Sequence, residues 1–271
     1  MNTLERTMIG TLADLRENHH VTGIKAEFEA EGTRMEEMLR LKEIVTKAGL
    51  ELTIKIGGCE AIRDMYECRV IGVNRIVAPM IESAYALKKY LAAARMAFPA
   101  DEIDQVDFLI NVETIAGVKA FDEMLALPEI QELDGIVLGR VDMTGSLGMT
   151  REDINSPRIL EISRELFAKA KQHDLECVVG GGVSAHSLPF FRDLPEGHLD
   201  RYETRKVIFQ CPGALSDAAD KGILKAVGFE LMWLKNKRDY YSIIATEDNQ
   251  RIHMLEARYK KLIEEAGGKV E

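Results

Sequence analysis

Short β-branched runs alternate with longer stretches of helical period along most of this chain, and that order is the strongest limit on its fold. The runs are 21–29 (VTGIKAEFE), 52–56 (LTIKI), 75–80 (RIVAPM), 107–113 (DFLINVE), 134–139 (DGIVLG), 175–180 (LECVVG) and 206–210 (KVIFQ). Between them lie helix-period segments at 34–48, 61–68, 83–98, 118–127 and 156–173. Parallel strands need a crossover between them, usually a helix, so strand–helix alternation predicts a parallel sheet covered by helices. Seven strands are legible, one short of a closed barrel, and the eighth is expected before Val21, where 8–15 reads equally as strand or helix. The chain has 271 residues, and a single parallel barrel takes roughly 250. The expected architecture is an α/β (β/α)8 TIM barrel over 1–215. A helical extension follows over 216–271, where 252–265 (IHMLEARYKKLIEE) places apolar residues at helical spacing. No linker precedes it, so it is expected to pack on the barrel or to be exchanged between subunits of a homo-oligomer.

The formal charge of −10 argues against nucleic acid or an anionic membrane as partner, since both reward clustered Lys and Arg. A small anionic ligand is compatible with it, because one pocket can be locally positive. Cys59, Cys68, Cys177 and Cys211 show no CxxC spacing, which reads as free thiols in a reducing compartment. No apolar run approaches the ~20 residues that span a bilayer, and no signal-peptide core is legible at the N-terminus. A cytoplasmic enzyme is expected.

Barrel enzymes carry their reactive groups where strands end and βα loops begin. The run 107–113 ends in Asn-Val-Glu-Thr, and alternation sets Leu109, Asn111 and Glu113 on one face. The run 134–139 continues into Arg140-Val141-Asp142. Glu113 and Asp142, at the mouths of consecutive strands, could share a hard cation such as Mg²⁺ or Mn²⁺, which takes carboxylate oxygens and leaves positions open to substrate. Read alone, either acid could equally cap a helix or a turn. Gly180-Gly181-Gly182 reads as an anion-binding turn or merely a tight one. His186 reads as an acid/base residue or, more simply, an exposed bystander, and 202–206 as a structural ion-pair segment on the stability face of the barrel.

The words around these acids resemble the HpcH/HpaI-type hydroxy-oxo-acid aldolase / citrate lyase β-chain family. The matching pieces are Glu113-Thr114, Leu133-Asp134-Gly135, Gly139-Arg140-Val141-Asp142-Met143-Thr144 and the strand end Ala78-Pro79-Met80. The likeness extends over roughly 21–183 and is strongest over 107–148. The resemblance implies that Glu113 and Asp142 bind Mg²⁺ or Mn²⁺. It also implies that backbone N–H groups of the 139–142 loop, with Gly139, Arg140 and Val141, hold a substrate carboxylate, and that the reaction is C–C bond cleavage or formation in a 2-oxo acid through a metal-stabilised enolate. The Arg140 side chain, where the family usually has a small apolar residue, stands beside Asp142 and could either pair a second anionic group of the substrate or neutralise the acidic cluster.

Two departures mark the chain as a divergent member. The family usually has Arg at the end of the second strand, where Lys55 stands; Lys keeps the charge and loses the bidentate fork. The family's Asp-x-Glu-His cluster aligns with Glu27, Glu29 and Ala30, so its basic His is missing, and Glu29 is the remaining candidate for proton relay. The expected function is a divalent-metal-dependent lyase acting on a small-molecule carboxylate, with Lys55 and Glu29 as catalytic residues. The alternatives are a metal-free Schiff-base aldolase on Lys55, or a regulatory barrel that keeps the cradle without the chemistry.

Overall fold

A computed structural model of the chain describes residues 1–269. Eight strands close into one barrel in sequence order. They are β1 (Val21–Glu27), β2 (Glu51–Lys55), β3 (Arg75–Ala78), β4 (Asp107–Asn111), β5 (Gly135–Gly139), β6 (Glu176–Gly180), β7 (Arg201–Glu203) and β8 (Val207–Gln210). The helices are α1 (Thr3–His19), α2 (Met35–Lys47), α3 (Ile62–Ile71), α4 (Ala84–Ala97), α5 (Ile115–Leu125), α6 (Arg140–Ser146), α7 (Pro157–Lys171), α8 (Leu188–Arg192) and α9 (Ala219–Glu265). Local chemistry sets several boundaries. Asn2 and Glu5 form a capping box on α1, Ser83 caps α4 through the Ala86 N–H, and Thr114 caps α5 through the Gly117 N–H. Among the described residues no helix is long and apolar enough to cross a membrane.

Two expectations about strand order are corrected. The segment 8–15 is helical, inside α1, because Met8, Leu12 and Leu15 recur at helical spacing on its buried face. The strand that pattern alone did not reveal is β7, only three residues long, too short to show a period. The second correction concerns direction. β1 to β7 pair in parallel, whereas β8 runs antiparallel to both β7 and β1. The three-residue 204–206 turn therefore replaces a crossover helix.

Inside the barrel the side chains form layers. Near the strand starts, Arg75 pairs with Glu51 and, at 2.8 Å, with Asp107, while Arg201 pairs with Glu176. Above them Val77, Leu109, Val137 and Val178 form a buried apolar layer. Period-2 alternation then brings Lys25, Glu27, Lys55, Asn111 and Glu203 to the next level. The opposite faces, with Ile24, Ile54, Ile76, Phe108, Ile136, Leu138 and Val179, are buried under the helices.

The chain divides into two compact units, Met1–Glu230 and Leu231–Glu271. The boundary expected at 215/216 thus falls later. Ile223, Ala226 and Phe229 are buried at the start of α9, and Lys225 reaches Asp14 and His19 of α1, so these turns belong to the barrel unit. In the second unit, residues 231–265 are helical.

Candidate active site

β4 and β5 deliver the centre of the site. Two residues beyond β4, the Glu113 side chain is buried and held from several directions. Its Oε2 accepts from Asn111 Nδ2 at 2.6 Å, and its Oε1 accepts from the Met80 N–H at 3.2 Å and faces Lys55 Nζ at 3.6 Å. Burial raises the Glu113 pKa above the ordinary carboxylate range; Lys55 and the Asn111 hydrogen bond pull it down, and the neighbouring Asp142 charge pushes it up again. Asp142 lies in the first turn of α6, exposed to solvent. Met80, at φ 51°, is a non-glycine residue in left-handed backbone. Such strain concentrates at functional sites, and here it brings an amide onto Glu113.

Lys55 ends β2 between two carboxylates. Its Nζ lies 3.1 Å from Glu29 Oε2, opposite Glu113. Glu29 sits in the loop after β1 with its side chain 28% exposed, so it faces both Lys55 and solvent. Ala30, where the basic His was sought, is exposed on the same loop. The structure thus brings together Lys55, Glu29 and Glu113, with Asp142 in the first turn of the helix that follows β5.

The remaining sequence-predicted residues divide. No Cβ fits at Gly139: it would stand 2.9 Å from Glu113 Cβ and closer still to Oε2. The glycine is therefore explained by the approach of Glu113, a reason different from the expected grip on substrate. The Arg140 side chain is turned into the scaffold. It is fully buried, donates to the Gly180 and Gly181 carbonyls, to Asn155 and to Ser187, and lies 5.0 and 5.1 Å from the Phe190 and Phe191 ring centres. Burial draws its pKa down to about 9, which leaves it charged at neutral pH. The backbone of Arg140 and Val141 is another matter. A Cβ on Gly181, at φ 77°, would lie 2.7 Å from both of their nitrogens, so the glycine keeps open a small space beside two first-turn amides that lack intrahelical acceptors. His186 is exposed, as expected.

The reversal of β8 moves 204–206 away from the stability face. A turn joining antiparallel β8 to β7 lies where the parallel strands end, at the mouth. There Lys206 pairs with Glu31, and Arg205 lies 3.2 Å from Glu31 and 3.5 Å from Glu27. Lys25 pairs with Glu203 and, at 3.4 Å, with Glu27. Burial works against charge on both Lys25 and Glu27, yet Glu203 and then Glu27 hold Lys25 above its ordinary range, and Lys25 followed by Arg205 holds Glu27 below its own. Sequence reasoning missed Met80, Glu31, Glu203, Arg205 and Lys206 as mouth residues. The signal present was the surplus of inward-facing charge on β1, which required counter-ions from somewhere.

The model of one protein family, HpcH/HpaI aldolase/citrate lyase, matches residues 32–181. Among solved structures, an HpcH/HpaI aldolase from Desulfitobacterium hafniense DCB-2 aligns with TM-score 0.60 at 14% identity, covering 73% of this chain and 81% of its own. A citrate synthase, SbnG, aligns with TM-score 0.60 at 14% identity, covering 86% and 90%. An HpcH/HpaI aldolase/citrate lyase family protein from Burkholderia cenocepacia J2315 aligns with TM-score 0.56 at 16% identity, covering 69% and 80%. No curated protein matches the chain. Identities this low speak for the fold alone, while the family match takes in more than half of the sequence, including Lys55, Glu113 and Gly139: the chain belongs to the HpcH/HpaI aldolase/citrate lyase family.

Proposed function

We propose that this barrel is a divalent-metal-dependent carbon–carbon lyase or aldolase acting on a small 2-oxo acid or related carboxylate. The observation that carries the reading is the setting of Glu113: a buried carboxylate, oriented by Asn111 and Met80, with Lys55 on one side and the Asp142 charge nearby. A Mg²⁺ or Mn²⁺ ion suits Glu113 and Asp142, since hard cations take carboxylate oxygens and tolerate a small protein ligand set completed by water and substrate. Among the described residues no group of three or more His, Cys, Asp or Glu gathers into a metal cage, so this would be an open site of two carboxylates. When bound, the cation supplies a Lewis acid for negative charge developing on substrate oxygen as a C–C bond breaks or forms.

The protein's own residues have separate tasks in this reading. The first-turn amides of Arg140 and Val141 receive the substrate carboxylate in the space that Gly181 leaves open. Lys55 Nζ, anchored by Glu29, places a positive charge beside the reacting carbonyl oxygen. Asn111 holds Glu113 in one orientation. Glu29, partly exposed, relays a proton between substrate and solvent in place of the absent His. The citrate synthase among the solved relatives is consistent with carbon–carbon chemistry run in either direction.

The test is isothermal titration with Mn²⁺ followed by turnover on a panel of 2-oxo acids and aldehydes. Glu113→Gln and Asp142→Asn are each expected to weaken Mn²⁺ at least tenfold, and exhaustive chelation to abolish turnover. Full activity in metal-free protein overturns the reading. A Schiff-base mechanism requires Lys55 to leave Glu29 and Glu113; borohydride trapping with pyruvate, lost in Lys55→Ala, would replace metal chemistry with it. Metal binding without turnover on any substrate would indicate a regulatory barrel.

A further inference from the structure

The helix of the second unit carries a stripe of regular spacing. Leu231, Leu234, Arg238, Tyr241, Ala245, Asp248, Ile252, Leu255, Tyr259 and Leu262 follow one another at alternating steps of three and four residues. Six of its large members, Leu231, Leu234, Ile252, Leu255, Tyr259 and Leu262, are between 49% and 64% exposed, and Tyr241 is half-buried. A mean step of 3.5 residues is the a/d seam of a left-handed coiled coil, and it stays on one face only if the helix winds around another of the same period.

We propose that residues 231–255 pair with the same helix of a second copy of this chain as an antiparallel coiled coil. The two polar members of the stripe set the direction. In a parallel, in-register pair Arg238 would face Arg238 of the partner subunit, and Asp248 would face Asp248 of the partner subunit, two like-charged layers inside the seam. The antiparallel arrangement centred on residue 243 places Arg238 against Asp248 of the partner subunit. It also sets Leu234 against Ile252 of the partner subunit, Leu231 against Leu255 of the partner subunit, and bulky Tyr241 against small Ala245 of the partner subunit. Every layer is then matched in polarity or in volume.

Sliding one helix by a heptad breaks this match. One direction sets Arg238 against Leu255 of the partner subunit, and the other sets Leu231 against Asp248 of the partner subunit. A polar pair inside an apolar seam is a well-attested device for fixing register. In the single chain Arg238 is paired at 2.7 Å with its sequence neighbour Asp239, with both side chains more than half exposed. Solvent-screened pairs of that kind contribute little, so Arg238 is free to exchange partners on association.

The test is disulfide trapping in the full chain. Positions 234 and 252 lie about 27 Å apart along one helix, so a bond between cysteines placed there joins two chains. Leu234→Cys/Ile252→Cys, oxidised with copper–phenanthroline, is expected to give a covalent dimer on a non-reducing denaturing gel. Each single variant should stay at the level of the wild type, which controls for the four native cysteines. Cross-linking of Leu234→Cys alone would mean a parallel pair, and no cross-link in any variant would mean that another partner covers the stripe; either result overturns the proposal. Charge exchange in the double-cysteine background supplies an independent readout. Arg238→Asp and Asp248→Arg should each slow cross-linking about tenfold, and the two together should restore it. Equal rates in all four proteins would likewise overturn the assignment.

Discussion

Gly139 and Glu113 compete for the same space. A methyl group at 139 would stand 2.9 Å from Glu113 Cβ and closer to its Oε2, while Asn111 and Met80 hold that carboxylate from other directions. Contacts this short force a shift. Gly139→Ala is therefore expected to turn Glu113 off its hydrogen bonds and weaken Mn²⁺ at least tenfold, with a stability loss of about 1–3 kcal/mol. Titration calorimetry with thermal melting separates the effects; unchanged Mn²⁺ affinity would show that the Glu113 orientation is not needed.

Lys25 depends on Glu203 in a similar way. Both side chains are almost fully buried, and Glu27, at 3.4 Å, is the other carboxylate paired with the ammonium. Removing one partner of a buried pair leaves a charge without compensation, which costs about 3–5 kcal/mol. Glu203→Ala is expected to lose that much in urea unfolding, whereas Lys25→Met/Glu203→Leu, which removes both charges, should recover much of it. A single variant within 1 kcal/mol of wild type would show that Glu27 alone suffices.

The reach of the sequence is clearest at these residues. Alternation in 107–113 placed Asn111 and Glu113 on one inward face, as the barrel has them, because a period of two follows directly from strand geometry. Applied to VTGIKAEFE, the same rule sets Lys25, Glu27 and Glu29 on one charged face. It was silent on where the counter-charges come from, since Glu203 lies on a strand of three residues and Arg205 and Lys206 lie on a turn whose place depends on the direction of β8. Strand direction is a property of pairing across the sheet, and no local pattern in KVIFQ encodes it. Arg140 illustrates the opposite failure. Its place beside Asp142 suggested a ligand contact, but a seven-residue helix turns neighbouring side chains far apart, and its guanidinium points toward the α8 aromatic rings.

That burial leads to a prediction about Arg140 itself. Its guanidinium ties the Gly180 and Gly181 carbonyls to Asn155 and Ser187, a fork that no other side chain reproduces. Arg140→Lys keeps the charge yet leaves acceptors unsatisfied, at a cost of about 2–4 kcal/mol. The melting temperature should fall, and substrate KM should change less than threefold in the folded fraction. A KM raised tenfold at unchanged stability would return Arg140 to the substrate.

His19 sets a pH dependence away from the active site. It is buried at the end of α1, with Lys225 Nζ 3.0 Å from Nε2. Burial first, and the Lys225 charge second, push its pKa below the ordinary histidine value of 6.5. The unfolded chain then binds more protons than the folded one as pH falls below about 6.5, so the stability His19 contributes is complete above that pH and is lost as pH falls toward the lowered folded value. Thermal melting between pH 8 and pH 5 should show a decline beginning near pH 6.5. In His19→Gln, which cannot take up the proton, that part of the decline should disappear; an unchanged profile would assign it to other groups.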